Sequence, residues 1–449
     1  MKLRDLLISA GVLAVLLGVL YWSNHRKAIE DTTVKASPDA PVKILSLNQA
    51  DIVGLSIHRK DQPPVDLSRN DSGTWQITAP KTLAADQEAV SGVLSTLSPL
   101  SSSRLLEEKT LDPASYGLSA PTLELEVVLK GNKTQKLLVG DATPSGNAYY
   151  VMLAGDPRLF TLASYDKTSL DKTANDLRDK RLLTTDFDKV SQIELIGQQP
   201  GKIRDITFAR NKDAWQILKP KPWRADSDRV NDLIRSLRDA KLESTSETTD
   251  AEAAKAFRSA SPYATVKVTG TPGAQELEVR KAKDDYYAKS SAVAGSFKVA
   301  ASLGTSLDKS LDDFRNKKLF DFGYAEPNKI EIHDGSKSYY LTRSTSDWWG
   351  PDGKKLDESS AQSLVSKLRD LSAEKFPDSG FTTPVLELTV LSNDSKRVEK
   401  VGIAKNGVTY IAKREGEPSL YEISAISVTE LEQSAADVKP AAPPTSQKK

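Results

Sequence analysis

An α+β fold, repeated three times behind one membrane-spanning helix, is the architecture this sequence predicts, and three observations predict it. A Trp-Gln-Ile strand followed at fixed spacing by an Ala-Asp helix start is written more than once. Period-two apolar alternation fills the intervals, as half-exposed antiparallel strands require. One uncharged apolar run stands at the N-terminus, and nothing like it recurs in the chain.

The N-terminal run is the first element. Lys2 and Arg4 precede an uncharged stretch over 6–24 that is near the short limit for a bilayer span. It ends in Leu20-Tyr21-Trp22 and then Ser23-Asn24-His25-Arg26-Lys27, without a small-x-small cleavage site. Tyr21 and Trp22 suit an interface, so the run reads as an uncleaved single-pass anchor rather than a signal peptide. With no Cys in the chain, a lipoprotein anchor is excluded. The flanking cations nearly balance under the positive-inside rule. The short tail and the large following body set the expected orientation, with residues 1–5 in the cytoplasm. Residues 25–43, polar with Pro38 and Pro41, are expected to be a linker.

The repeat follows. Trp75-Gln76-Ile77 leads to Ala85-Asp86 and then to Val90, Val93, Leu94 and Leu97. Trp215-Gln216-Ile217 leads to Ala225-Asp226 and then to Val230, Leu233, Ile234 and Leu237. A weaker copy runs Trp348-Trp349, Leu356-Asp357, then Ala361, Leu364, Val365 and Leu368. In all three the apolar residues fall 4, 7, 8 and 11 positions after the Asp, which lays one stripe along a helix. Asp86, Asp226 and Asp357 then occupy the N-cap, and Glu88, Asp228 and Glu358 place negative charge in the first turn.

Strands flank each copy. Ile52, Leu55 and Ile57 open the first, and Leu123, Leu125 and Val127 alternate with Glu124 and Glu126. Ile193 and Leu195 open the second, and Ile330 and Ile332 the third. The runs Asp176 to Arg181 and Asp313 to Lys318 close the first two copies, and read as last helical turns whose cations complement the helix dipole. The period is far longer than a solenoid unit, so a whole domain is triplicated. The expected domains span 44–181, 182–318 and 319–436, each an antiparallel sheet with about two helices, and 437–449 is expected to be a disordered tail.

Charge adds exclusions rather than a partner. Lys plus Arg total 62 against 61 for Asp plus Glu, a net charge of +1, so no global field draws nucleic acid. Absence of Cys removes disulfides, thiolate nucleophiles and Cys-ligated metals.

Tyr116-Gly117-Leu118 with Pro121, Val139-Gly140-Asp141 and Tyr149-Tyr150-Val151, in that order after the Ala-Asp helix, resemble the bacterial family catalogued as domain of unknown function 4340. The second copy departs from the pattern, with Ser261-Pro262-Tyr263 and Val279-Arg280 where the family has Gly. The third keeps Gly380, Pro384 and Val401-Gly402. The resemblance implies a bacterial envelope protein, typically membrane-anchored, with some relatives near gliding or export systems. It implies no chemistry and no catalytic residues.

The residues themselves point the same way. No zinc-type His pair, P-loop, nucleophile elbow or dinucleotide fingerprint is present. His58 and His333 fall at equivalent strand positions in the first and third copies, where the second has Ile196, and read as structural strand-end residues. Tyr149-Tyr150 and Tyr286-Tyr287, with Trp223 and Trp349, could line a glycan or peptide groove. Strand geometry instead turns one Tyr of each pair inward and the other outward. The expectation is a noncatalytic envelope scaffold or accessory subunit of an export or envelope-assembly system. It has protein partners, no nucleic acid, and no catalytic, metal or cofactor residues. A glycan- or peptide-binding module is the alternative, and an envelope hydrolase ranks last.

Overall fold

The computed structural model describes residues 42–102, 104–199, 202–212, 214–243 and 250–442. The expected anchor at 6–24 and the linker through residue 41 lie outside them. No helix among the described residues is long and apolar enough to cross a membrane. The chain divides into two compact units, residues 1–180 and 181–449.

In the first unit the stripe residues Val90, Val93, Leu94 and Leu97 are all buried on a helix spanning Gln87–Leu97. Asp86 caps it, accepting from the backbone N–H groups of Glu88 and Ala89 at 3.0 and 3.1 Å. That satisfies two of the donors which a helix start otherwise leaves orphaned. The helix lies on a nine-stranded antiparallel sheet. From one edge its strands run Leu83–Ala84, Trp75–Ala79, Val65–Arg69, Ile52–Arg59, Leu123–Leu129, Lys133–Ala142, Ala148–Leu153, Leu159–Ala163 and Arg104–Glu107. Trp75 is buried beside Ile57, Leu125 and Leu97 in the core between sheet and helix. Val42 and Lys43 belong to the folded body rather than the linker, since they pair with Ser102 and Ser101.

The second unit holds two sheets. One has nine strands in the same spatial order as the first sheet, with Trp215 on the strand Ala214–Lys219. Asp226 caps its helix Ser227–Arg238. This sheet carries an addition: a helix at Asp250–Ser259 buries Ala253 and Phe257. The other sheet has seven strands and the helices Glu358–Asp370 and Ala425–Ala436. Its two missing edge strands survive as single bridges, Trp349 to Lys355 and Lys375 to Glu422.

Two expectations about the closing segments change. The basic runs after Asp176 and Asp313 are not last helical turns, because each helix is one turn long, Ala174–Leu177 and Leu311–Phe314. Thr173 with Asp176, and Ser310 with Asp313, form capping boxes, after which Arg178 and Arg315 turn extended. There they bridge to Ala85 and Ala225, the residues just before the helix caps. The segment after 436 is not a disordered tail where it is described. Asp357 donates its N–H to Lys439 O at 2.8 Å, and Ala441 donates to Lys355 O at 2.9 Å. The same pair of bonds closes the earlier repeats, Asp86 to Leu177 O and Asp179 to Ala84 O, then Asp226 to Phe314 O and Asn316 to Arg224 O.

Candidate functional site: the seam between the second and third sheets

The densest polar chemistry among the described residues lies where the second sheet meets the third. It begins with a local change in the repeat. The short strand before the helix cap reads Leu83–Ala84 in the first copy and Trp223–Arg224 in the second. Adjacent strand residues point to opposite sides, so this dipeptide sends an indole one way and a guanidinium the other.

Arg224 enters a socket built by the third repeat and by Lys318, just before it. Its Nη1 lies 2.7 Å from Asp321 Oδ2 and its Nε 3.0 Å from Glu417 Oε1. Nη2 donates to Lys318 O at 2.6 Å and to the Tyr421 hydroxyl at 3.1 Å. Burial alone would lower the guanidinium's proton affinity, but the carboxylates of Asp321 and Glu417 outweigh it and hold Arg224 above its ordinary range. Burial raises the Tyr421 hydroxyl, against the pull of Arg224.

Two further arginines complete the network. Arg414 contacts Glu399 at 3.1 Å and Glu417 at 2.9 Å and donates to Leu319 O. Arg397 reaches Asp321 at 3.3 Å and Glu399 at 3.5 Å. Three arginines face three carboxylates, and the Glu399 side chain is only 3% exposed. Charges buried to this extent are tolerated when paired and costly when one partner is lost.

On the other side, Arg315 lies between two rings, 4.3 Å from the Trp223 centroid and 3.6 Å from that of Phe376. It also bonds Ser419 Oγ at 3.1 Å and Asp312 at 3.3 Å. Burial pulls this guanidinium below its ordinary range, with Asp312 opposing. Beside it opens a cavity of 370 Å³ whose walls include Lys221, Asp378, Phe381 and Lys413.

The residues singled out from sequence are dispersed. His58 is exposed, with Ser56 Oγ at 3.1 Å from Nε2. His333 sits in another sheet, 2.9 Å from Ser338 Oγ, with its ring 5.5 Å from that of Tyr340. No group of three or more His, Asp or Glu among the described residues could hold a metal ion. Tyr149 packs on the main core of the first sheet, but its neighbour Tyr150 is not on an open face. It meets Tyr116 at 4.9 Å over a small second core of Leu118, Met152 and Leu159. Tyr286 is buried against Tyr263 at 5.1 Å, and Tyr287 is half-buried. Only Trp223 of the suggested aromatics joins the seam. Arg224, Asp321, Glu399, Arg414, Glu417 and Tyr421 were not singled out in the sequence. The available signal was Trp-Arg in the second copy at a place where the first has Leu-Ala.

The two family glycines of the first copy also have a physical explanation. A Cβ on Gly140 would lie 2.1 Å from Tyr116 O, and one on Gly117 would lie 2.6 Å from the Asp141 side chain. The Tyr-Gly-Leu and Val-Gly-Asp motifs therefore touch, and each leaves room for the other. The family described as Domain of unknown function (DUF4340) matches residues 75–216 and again 215–385. The chain belongs to the DUF4340 family. Each DUF4340 match begins at the Trp of a Trp-Gln-Ile strand, so it starts within one sheet and runs on into the next. The second copy loses both DUF4340 glycines together: Pro262 and Arg280 are paired across the sheet, and the Arg280 guanidinium lies 4.6 Å from the Phe257 ring of the added helix. No curated protein and no solved structure matches the chain.

Proposed function

We propose that this DUF4340 chain is a noncatalytic scaffold or accessory subunit, anchored in the bacterial inner membrane through residues 6–24 with its body in the periplasm. It serves an export or envelope-assembly complex. The observation that supports the reading best is the seam. The buried charges of the seam are engaged with one another and with a backbone carbonyl. They join two repeats into one body, as a part that must hold its shape under load requires. His58 and His333 are engaged locally with serines on separate sheets. Repetition multiplies surface, which favours holding partners over single-site chemistry.

Photo-crosslinking in intact cells tests the proposal. The full-length chain is expected to capture discrete envelope proteins. A form starting at Pro41 and exported to the periplasm should fold but lose them, because the tether sets local concentration. The double variant His58→Ala, His333→Ala should keep them. Captures that ignore the tether, or a folded double-His variant without function, would overturn the scaffold reading. A second reading, a peptide-binding module, is favoured by the cavity beside Trp223.

A further inference from the structure

The geometry points to this cavity as a binding site for an acidic peptide segment, with the carboxylates of the peptide seated between Lys221, Arg315 and Lys413. The inference rests on the reading that the body holds a protein partner, and supplies the chemistry of the contact.

Size and charge come first. At 370 Å³ the space is within the range of about 300–1,000 Å³ typical of ligand sites. Its lining carries three cations and one carboxylate, Asp378. Among the described residues, neither Lys221 nor Lys413 makes an ion pair, and both are exposed. Arg315 already has Asp312 as a counterion, but Asp312 is not part of the lining. Asp312 and Asp378 offset two of the three cations, so the cavity keeps a positive excess carried by its two exposed lysines, which attracts anions.

The rings then decide the class of anion. A sugar binds by laying a flat face on a free aromatic face. Here the Trp223 ring has Arg315 over it and packs against the core of the second sheet. Phe376 has the same guanidinium over it and packs against the third core, with Tyr421 edge-on at 5.5 Å. Lys413 Nζ lies over Phe381 at 5.9 Å. With cations over these rings, the aromatic and proline walls contribute apolar edges rather than stacking platforms. Apolar edges with spaced cations suit a chain carrying both alkyl and carboxylate side chains. Asp378, exposed at the rim, can accept a backbone N–H, a donor that a peptide carries and a sulfate ion lacks.

The test uses full-length protein in nonionic detergent and a rhodamine-labelled octapeptide of alternating Glu and Leu, followed by fluorescence anisotropy. Binding is expected, and the same peptide with Gln for Glu should not bind. The double variant Lys221→Glu, Lys413→Glu changes only exposed side chains, so it should remain folded by circular dichroism. It should bind at least about tenfold more weakly, with a shallower salt dependence. Lys133→Glu on the first sheet should change nothing. Equal binding of the Gln peptide, unchanged affinity in the double variant, or displacement of no peptide but uptake of polygalacturonate would overturn the assignment. Because the assay needs neither membrane nor cell, its failure leaves the tether-dependent crosslinks standing, and the two failures are told apart.

Discussion

Replacing Arg224 by Met asks what the seam contributes. The substitution keeps a long side chain but removes four contacts: Asp321 at 2.7 Å, Glu417 at 3.0 Å, Lys318 O at 2.6 Å and the Tyr421 hydroxyl at 3.1 Å. Stranding a buried ion-pair partner costs about 3–5 kcal/mol. Two features reduce that figure. Asp321 keeps Arg397 at 3.3 Å and Asn316 at 3.0 Å, and Glu417 keeps Arg414 at 2.9 Å. Arg224 and both carboxylates also retain about a fifth of their side-chain exposure, so water screens part of the loss. The expected cost is therefore about 2–3 kcal/mol. Urea unfolding followed by Trp fluorescence and by circular dichroism reads it. The wild-type second unit should unfold in one coincident step, whereas Arg224→Met should separate the two probes as the sheets uncouple. Adding Glu417→Gln leaves Arg397 and Arg414 facing Asp321 and Glu399 in equal number and should recover about half of the loss. A shift worth less than about 0.5 kcal/mol with coincident transitions would refute the reasoning, since the network would then be a surface ornament.

Other outcomes follow from the repeats. Trp215→Ala empties a site that is 2% exposed and should cost about 3–5 kcal/mol in denaturant unfolding. A loss under about 1 kcal/mol would place the ring outside the core. Gly140→Ala drives a methyl group into Tyr116 O and should lower stability by about 1–3 kcal/mol in thermal melts, while Gly131→Ala, with no neighbour within 4 Å but a φ of +76°, should show only the backbone strain. Asp313 lies in a capping box where burial opposes ionisation, but the Ser310 hydroxyl and N–H outweigh it, so its carboxyl stays below the ordinary range. A depressed folded-state value stabilises above the unfolded value of about 3.9 and is lost as pH falls through the folded one. Asp313→Asn should therefore flatten the acid limb of stability below about pH 4, and an unchanged limb would argue against the capping role.

What sequence reveals here follows local periodicity. The helix stripes, the caps at Asp86, Asp226 and Asp357, and the buried Trp75, Trp215 and Trp348 are legible because each depends on residues within about a dozen positions. The seam is different: Arg224 meets Glu417 across 193 positions. No spacing rule connects residues so far apart. Arg315 illustrates a second limit. In sequence it lies within a helix-like basic run, yet a one-turn helix and a backbone bridge to Ala225 turn it extended and carry it between two rings. The glycines show a third. Gly117 and Gly140 look like independent motifs until the structure brings one against the other, after which their joint absence in the second copy is a single event.

The backbone bonds at Asp86, Asp226 and Asp357 have a consequence for synthesis. Each helix start receives its closing partner from a segment emerging long afterwards, at Leu177, Phe314 and Lys439. A nascent repeat can build its sheet on the ribosome but cannot latch until that segment is clear of the exit tunnel. In the second repeat the latch segment runs on to Lys318, which bridges to Ser372, so that repeat closes as the following one begins. The third latches only when Lys439 and Ala441 are clear of the tunnel. A fusion placed directly after Ala436 would therefore leave that last repeat unlatched, whereas one placed beyond Ala442 would not.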